Sequence, residues 1–248
     1  MLKYVALLLL VTVLAQKASA QEQIPVTLYY EALCPDSIKF FTKQLYPTLQ
    51  RGVSKNIKLD LIPYGRASQT RNETAGVWDF TCHHGPNECY ANKIQACAIS
   101  KIDGGRSSPN LGYNKITLAF INCLMDKVVI NPFHLPIDDC ATQSNVVNRA
   151  EIENCANHTD GANLLAQLGD LTNALNPKLS FVPTVTFKKT YKKADNDMSQ
   201  VNFQNVLCSY ITDKKSAECP TSGSNVVVNN FIMTLVTVSF LASVKHLF

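Results

Sequence analysis

The residues with the clearest potential for chemistry are Cys34-Pro35-Asp36-Ser37, which follow an apolar segment typical of a β-strand. A cysteine at the first turn of a helix lies near free backbone N–H groups and the positive end of the helix dipole. Both features favour a thiolate over a thiol, and a thiolate is the attacking species in thiol–disulfide exchange. The sequence therefore predicts that Cys34 is a nucleophile that attacks disulfide bonds.

Ser37 stands where the Cys-x-x-Cys form of such a site has its second cysteine. That second cysteine attacks the mixed disulfide and releases the reduced substrate. A hydroxyl forms no disulfide, although it can donate a hydrogen bond to the thiolate. We therefore expect Cys34 to work without a resolving cysteine in this chain, with Ser37 as hydrogen-bond support.

The chain has nine cysteines, and an odd number leaves at least one outside any set of internal pairs. In an exported protein most cysteines form disulfides. Cys34 is the natural choice for the free thiol, and an ordinary buried or paired cysteine is the alternative. The pairing of the other eight is open, except that we predict Cys208–Cys219, because these two lie close in sequence beside the last helix. The eight are Cys82, Cys89, Cys97, Cys123, Cys140, Cys155, Cys208 and Cys219.

Both ends of the chain carry features of an exported protein. Residues 1–20 combine a positive start, an apolar stretch and the pattern Ala18-Ser19-Ala20, which predicts a signal peptide cleaved after Ala20. Residues 221–248 begin small and polar and then become apolar, and they predict either a signal for a GPI membrane anchor or a removable propeptide. Asn72 and Asn157 begin N-x-Thr sequons and are candidate glycosylation sites.

Composition and charge fit one folded domain over residues 21–220. The apolar share of 46% is enough for a hydrophobic core and argues against disorder. The net charge is +4, but Lys3, Lys17 and Lys245 lie in the two terminal segments, which hold no acidic residue. The body of the protein is therefore nearly neutral, and no basic surface for a nucleic acid is indicated.

The elements that position Cys34 follow from the hydrophobic pattern. Residues 24–30 and 57–63 are predicted strands, and between them a helix starts at Pro35 and runs to Leu49. A strand, a helix and a second strand form a βαβ unit, in which the two strands are parallel.

The middle of the chain has a different character. Residues 78–176 hold six of the cysteines and show helical patterns over 88–101, 115–127 and 161–175, which we interpret as a helical insertion.

The last part of the body returns to a strand and a helix. A strand is predicted over 179–187, followed by a polar turn over 188–197 and a helix over 200–211. The whole order predicts an α/β protein with a thioredoxin-like fold and a disulfide-stapled helical insertion.

Val182 and Pro183 are the second candidate part of the site. In thioredoxin-like proteins a loop with a cis-proline lies against the nucleophile, and its backbone can bind an extended substrate peptide by strand addition. The alternative is that Pro183 only starts an edge strand, because cis is a small minority of X–Pro bonds.

The segment from Cys82 to Cys97 resembles the signature of the gamma-interferon-inducible lysosomal thiol reductase family. That signature reads Cys-Gln-His-Gly-x-x-Glu-Cys-x-x-Asn-x-x-x-x-Cys, and His83 stands where it has Gln. Segments 29–35, 62–65 and 181–183 also agree, so the resemblance spans about residues 24–219. The matching signature positions are Cys82, His84, Gly85, Glu88, Cys89, Asn92 and Cys97.

The resemblance implies a thioredoxin-like fold, reduction of protein disulfides in acidic compartments and a cis Pro183. The family's catalytic pair is Cys-x-x-Cys, so Cys34 carries over and Ser37 departs from it. We expect a monothiol reductase of protein disulfides that uses a small external thiol and no cofactor, in the endosomal/lysosomal or extracellular space. The alternative is a non-catalytic, secreted or membrane-anchored binding protein that keeps the fold.

A zinc site is the rival interpretation of Cys82, His83, His84, Cys89 and Cys97. Their spacing lacks the closely spaced cysteine pairs of structural zinc sites, and disulfides are favoured in an oxidising compartment. No metal is therefore expected.

Overall fold

The protein is described here by a computed structural model that covers residues 23–102, 114–130, 133–215 and 217–220. A βαβ unit opens this part of the chain, helices dominate its middle, and a strand and a helix close it. In chain order the elements are β1 (Ile24–Tyr30), α1 (Pro35–Phe40), α2 (Tyr46–Leu49), β2 (Ile57–Pro63), β3 (Ser68–Asn72), β4 (Val77–Thr81), α3 (Pro86–Lys101), α4 (Lys115–Lys127), β5 (Val129–Ile130), β6 (Phe133–His134), α5 (Ile137–Gln143), α6 (Arg149–Asn157), α7 (Thr159–Asn173), β7 (Thr184–Phe187) and α8 (Lys193–Tyr210).

β1 is the central strand of a three-stranded sheet in the order β2–β1–β7. It pairs parallel with β2, as the predicted βαβ unit requires, and antiparallel with β7. The predicted strands over 24–30 and 57–63 are confirmed at both ends. The predicted helix after Cys34 is continuous, because a π-helical turn over Phe41–Leu45 joins α1 to α2.

The main hydrophobic core fixes this helix against the sheet. Val26 and Leu28 from β1 pack with Phe41 and Leu45 from the π-helical turn and with Phe203 from α8, and all five are fully buried. Burial of each such side chain stabilises the fold by about 1.5–3 kcal/mol relative to an exposed side chain. The start of α1 is therefore held at a fixed position at the end of β1.

The disulfide-rich segment has a core of its own, formed among α3, α4, α5 and α6. Cys97–Cys155 joins α3 to α6 across 58 residues, and Cys123–Cys140 joins α4 to α5. In the chain-entropy account, a disulfide that closes a loop of 58 residues adds about 4 kcal/mol to the free energy of unfolding. The helical insertion is thus stapled by disulfides, as the sequence predicts.

Three boundaries differ most from the sequence-based predictions. The segment predicted as helical from residue 78 begins with β4 of a β3–β4 hairpin, and its first helix starts at Pro86. The strand predicted from residue 179 starts only at Thr184, directly after Pro183, which donates no N–H to a sheet. The helix predicted from residue 200 starts at Lys193.

The predicted export features are described only in part. The signal peptide over 1–20 and the tail over 221–248 lie outside the described residues. Asn72 and Asn157 are both exposed, so both sequons are accessible, and their glycosylation stays a prediction. No helix within the described part of the chain is long and apolar enough to cross a membrane.

Candidate active site

Cys34 lies in the position immediately before α1, at the carboxyl end of β1. Its backbone is extended, with φ −68° and ψ 123°, and its carbonyl oxygen accepts a hydrogen bond from the Ile38 N–H at 2.9 Å. Pro35 is the first helical residue, where a missing N–H has no cost. The residue is 8% exposed, so only a small part of its surface is open to solvent.

All nine cysteines lie in the described residues, and Cys34 is the one that forms no disulfide. The predicted free thiol is therefore confirmed, and so is the Cys208–Cys219 pair. The pairing also places every sulfur of the zinc site considered above in a disulfide. The four disulfides are Cys82–Cys89, Cys97–Cys155, Cys123–Cys140 and Cys208–Cys219.

Ser37 lies one turn after Cys34 and is fully buried. Its Oγ accepts a hydrogen bond from the backbone N–H of Glu31 at 3.3 Å, which ties α1 to the loop before it. A hydroxyl accepts and donates at the same time, so this contact leaves the Ser37 proton available. Donation of that proton to a Cys34 thiolate stays a prediction.

Pro183 lies at the same end of the sheet as Cys34, where β1 ends and β7 begins. Because Tyr29 pairs with Thr184 in the antiparallel register, the residues before β7 lie beside the residues that follow β1. The Val182–Pro183 bond is cis, as predicted. A groove of about 280 Å³ lies between this loop and the helices α1 and α8, and it is lined by Asp36, Lys39, Phe40, Phe181, Val182, Pro183 and Gln200.

The signature segment supports the loop that carries Cys34, a role that the sequence did not reveal. Asn92 in α3 is fully buried, and its Oδ1 accepts a hydrogen bond from the Ala32 N–H at 2.9 Å. On the same helix, Gln95 Oε1 accepts a hydrogen bond from the Tyr30 hydroxyl at 2.6 Å. Helix α3 therefore holds both the end of β1 and the loop that follows it.

Glu31 joins the same loop to the first half of the signature. Its carboxylate is fully buried, and its Oε2 lies 3.3 Å from Nδ1 of both His83 and His84. Nδ1 of His84 also lies 2.6 Å from Oε2 of Glu88, which is fully buried too. Burial raises the pKa of Glu88; hydrogen bonds from His84 oppose this rise, and the charge of Glu31 adds to it.

Gly65 allows close packing against Glu31, and Gly85 allows the turn before α3. Gly65 has a φ of +62°, and a β-carbon there would come within 2.2 Å of the Glu31 side chain. Gly85 has a φ of +83° and immediately precedes α3. Glycine adopts such backbone angles without steric cost, and the Cys82–Cys89 disulfide closes the turn that contains Gly85.

Replacing Asn92 with alanine is expected to destabilise the protein by about 1–3 kcal/mol, because the Ala32 N–H would lose its acceptor. Activity is expected to fall even under conditions where the variant remains folded, because the freed loop carries Cys34. Urea unfolding and disulfide-reduction assays measure the two effects. The matched control is Asn163→Ala on the exposed face of α7, and equal effects of both variants would contradict the supporting role.

The fold agrees with a solved structure of a similar protein. The chain is similar to the oxidised form of BdbD from Bacillus subtilis, with a TM-score of 0.50 and 16% sequence identity. The alignment covers 77% of this chain and 90% of that chain, and at this identity it supports the fold alone. The architecture is therefore thioredoxin-like.

Sequence relatives agree with the motif around the site. A GILT-like protein 1 from Drosophila melanogaster is 38% identical over 88% of this chain and 86% of its own length. A gamma-interferon-inducible lysosomal thiol reductase-like protein from Anopheles gambiae is 40% identical over 93% of this chain and 95% of its own length.

The class of protein follows from the fold, the free cysteine and these relatives: it is a thiol–disulfide oxidoreductase. The model of the family gamma interferon inducible lysosomal thiol reductase (GILT) matches residues 25–159. The chain belongs to this family.

Proposed function

We propose that this thiol reductase reduces disulfide bonds of protein substrates by a monothiol mechanism, with Cys34 as nucleophile and a small external thiol as reductant. The observation that carries the proposal is a free cysteine at the start of α1 in a chain whose other cysteines are paired. Ser37 supplies no sulfur, so the second half of the reaction needs a thiol from outside the chain.

The reaction proceeds in steps of thiol–disulfide exchange. The Cys34 thiolate attacks one sulfur of the substrate disulfide, forms a mixed disulfide and releases the other substrate sulfur as a thiolate. A small thiolate then attacks the Cys34 sulfur and displaces the second substrate thiolate. A second small thiol frees Cys34, so two small thiols become one small disulfide while the substrate gains two thiols. If a second substrate cysteine attacks instead, it releases Cys34 but forms a new substrate disulfide, so this alternative rearranges disulfides without net reduction.

The groove beside α1 supports an extended peptide as the substrate. Phe181 is 37% exposed at this groove and offers an apolar contact. The backbone of Val182 before the cis Pro183 can pair with an extended chain by strand addition. We therefore assign Val182 and Pro183 to substrate binding.

We place this reaction in endosomes and lysosomes or in the extracellular space. The N-terminal segment has the pattern of a signal peptide, and four disulfides persist in oxidising compartments. The apolar C-terminal segment favours an anchor or a propeptide. Mass spectrometry of the mature C-terminus distinguishes these two fates.

Trapping the mixed disulfide tests the mechanism. Protein with a reduced Cys34 is mixed with a denatured, disulfide-bonded protein in the absence of a small thiol. We expect a covalent adduct through Cys34 on non-reducing gels and by peptide mass spectrometry, and its release when a small thiol is added. Absence of the adduct would contradict the nucleophilic role. An adduct that small thiols do not release would instead support the non-catalytic binding protein.

A further inference from the structure

Glu31, His83, His84 and Glu88 form a compact cluster of nitrogen and oxygen donors. The two carboxylates are fully buried, whereas the side chains of His83 and His84 are 46% and 26% exposed. Donor atoms of Glu31 and the two histidines all lie within 4.8 Å of one another. We propose that this cluster binds one zinc ion.

Two of the distances between donor atoms match tetrahedral coordination. With metal–ligand bonds of about 2.0–2.1 Å, the ligand atoms of a tetrahedral zinc site lie about 3.3 Å apart. Both distances from Glu31 Oε2 to an imidazole Nδ1 are 3.3 Å. Glu88 Oε2 is closer to His84 Nδ1, at 2.6 Å, because the two share a hydrogen bond. Glu31, His83 and His84 therefore supply three ligands, and solvent takes the fourth position beside the partly exposed His83.

Backbone groups already orient both carboxylates of the cluster. The Arg66 N–H donates to Oε1 of Glu31 at 2.8 Å, and the His84 N–H donates to Oε1 of Glu88 at 3.1 Å. Each carboxylate therefore keeps its Oε2 for the cluster. Such supporting hydrogen bonds fix the ligands of metal sites, and the Cys82–Cys89 disulfide restrains the turn that carries the histidines.

The charge of the cluster favours a divalent cation. Glu31 and Glu88 place two carboxylates in the interior, where unpaired charges are costly. Within the described residues, the side chains that form ion pairs with them are the imidazoles of His83 and His84. One divalent ion compensates both carboxylates. Imidazole ligands favour zinc over calcium, which takes six to eight oxygens.

His83 makes this site a property of this chain, because the family signature has Gln at that position. An imidazole is a better zinc ligand than an amide, and the partly exposed His83 gives the ion access from solvent. The sequence predicts no metal at Cys82, His83, His84, Cys89 and Cys97, and the proposal departs from that prediction at the two histidines. The three sulfurs lie in disulfides, so the donors that remain are nitrogen and oxygen atoms.

Calorimetric titration with zinc chloride tests the proposal. The protein carries Cys34→Ser with its disulfides intact, so that no free thiolate binds zinc and the outcome is independent of the reductase mechanism. We expect one zinc per chain and at least about tenfold weaker binding in His83→Gln, since loss of a supporting partner alone costs about 10–100-fold in metal affinity. Calcium is expected not to compete.

His158→Gln is the matched control, because His158 is exposed and its Nδ1 contacts only the nearby Asn154 carbonyl among the described residues. This variant is expected to bind zinc like its parent. His83→Gln carries the residue of the family signature, so it is expected to keep the fold, which urea unfolding checks. Absence of stoichiometric zinc binding, or equal affinity in the two histidine variants, would overturn the site.

Discussion

Disulfide reduction is expected to fall to the rate of the small thiol alone when Cys34 is replaced by serine. A hydroxyl is not an effective nucleophile toward a disulfide, and in the described chain no other cysteine is free to replace it. Serine is also a favoured residue immediately before a helix. The variant should therefore fold at least as stably as the wild type, and the loss of activity is chemical.

The measurement is reduction of a denatured, disulfide-bonded protein with a small thiol, near pH 4.5 and near pH 7. Cys34→Ala serves as a second variant, because it lacks both the sulfur and the capping hydroxyl. Equal loss in the two variants separates the role of the sulfur from any effect on helix stability. Activity of Cys34→Ser above background at either pH would refute the role of Cys34 as nucleophile.

Local patterns in the sequence were sufficient for the elements that carry Cys34. The strand at 24–30 alternates between the core and a less buried face, and Pro35 marks the start of the following helix. These features depend on residues that are adjacent in the sequence. The position of the nucleophile was therefore predictable before the fold was known.

Contacts between distant residues explain what the sequence could not predict. The polar start of α8 looked like a turn, but the buried Asn196 accepts a hydrogen bond from the Val185 N–H at 2.8 Å, so tertiary contact stabilises the helix there. The β3–β4 hairpin is largely exposed; β3 lacks apolar residues, and in β4 only Trp78 and Phe80 alternate on a half-buried face. Asn92 and Ala32 are 60 residues apart, and no spacing rule connects them.

The family resemblance identified Asn92, Glu88 and His84 as signature residues without assigning them a role. Their roles became visible only when the structure placed them around Glu31 and Ala32. The signature thus marks the support of the active-site loop as well as a disulfide.

Replacing Ser37 with cysteine is expected to raise turnover by at least about tenfold when the small thiol is scarce, because a neighbouring thiol makes the resolving step intramolecular. The introduced sulfur attacks the Cys34 sulfur of the mixed disulfide and releases the substrate. The small thiol then only has to reduce the new internal disulfide. The gain should shrink as the concentration of small thiol rises.

The same substitution is expected to lower the free energy of unfolding by about 1–3 kcal/mol. The buried Glu31 N–H donates a hydrogen bond to Ser37 Oγ, and a sulfur at this position is a weaker acceptor. Activity and stability should therefore change in opposite directions. Urea unfolding and the reduction assay at several thiol concentrations measure both.

The control for this gain is the double variant Cys34→Ser/Ser37→Cys, which should return to background if the introduced thiol acts only on a mixed disulfide at Cys34. If Ser37→Cys shows no gain at low thiol while its structural disulfides and fold are intact, resolution is not the limiting step. Turnover would then be limited by the first attack of Cys34 on the substrate, because Cys34 is only 8% exposed in the free protein. Access to that sulfur would then control the reaction.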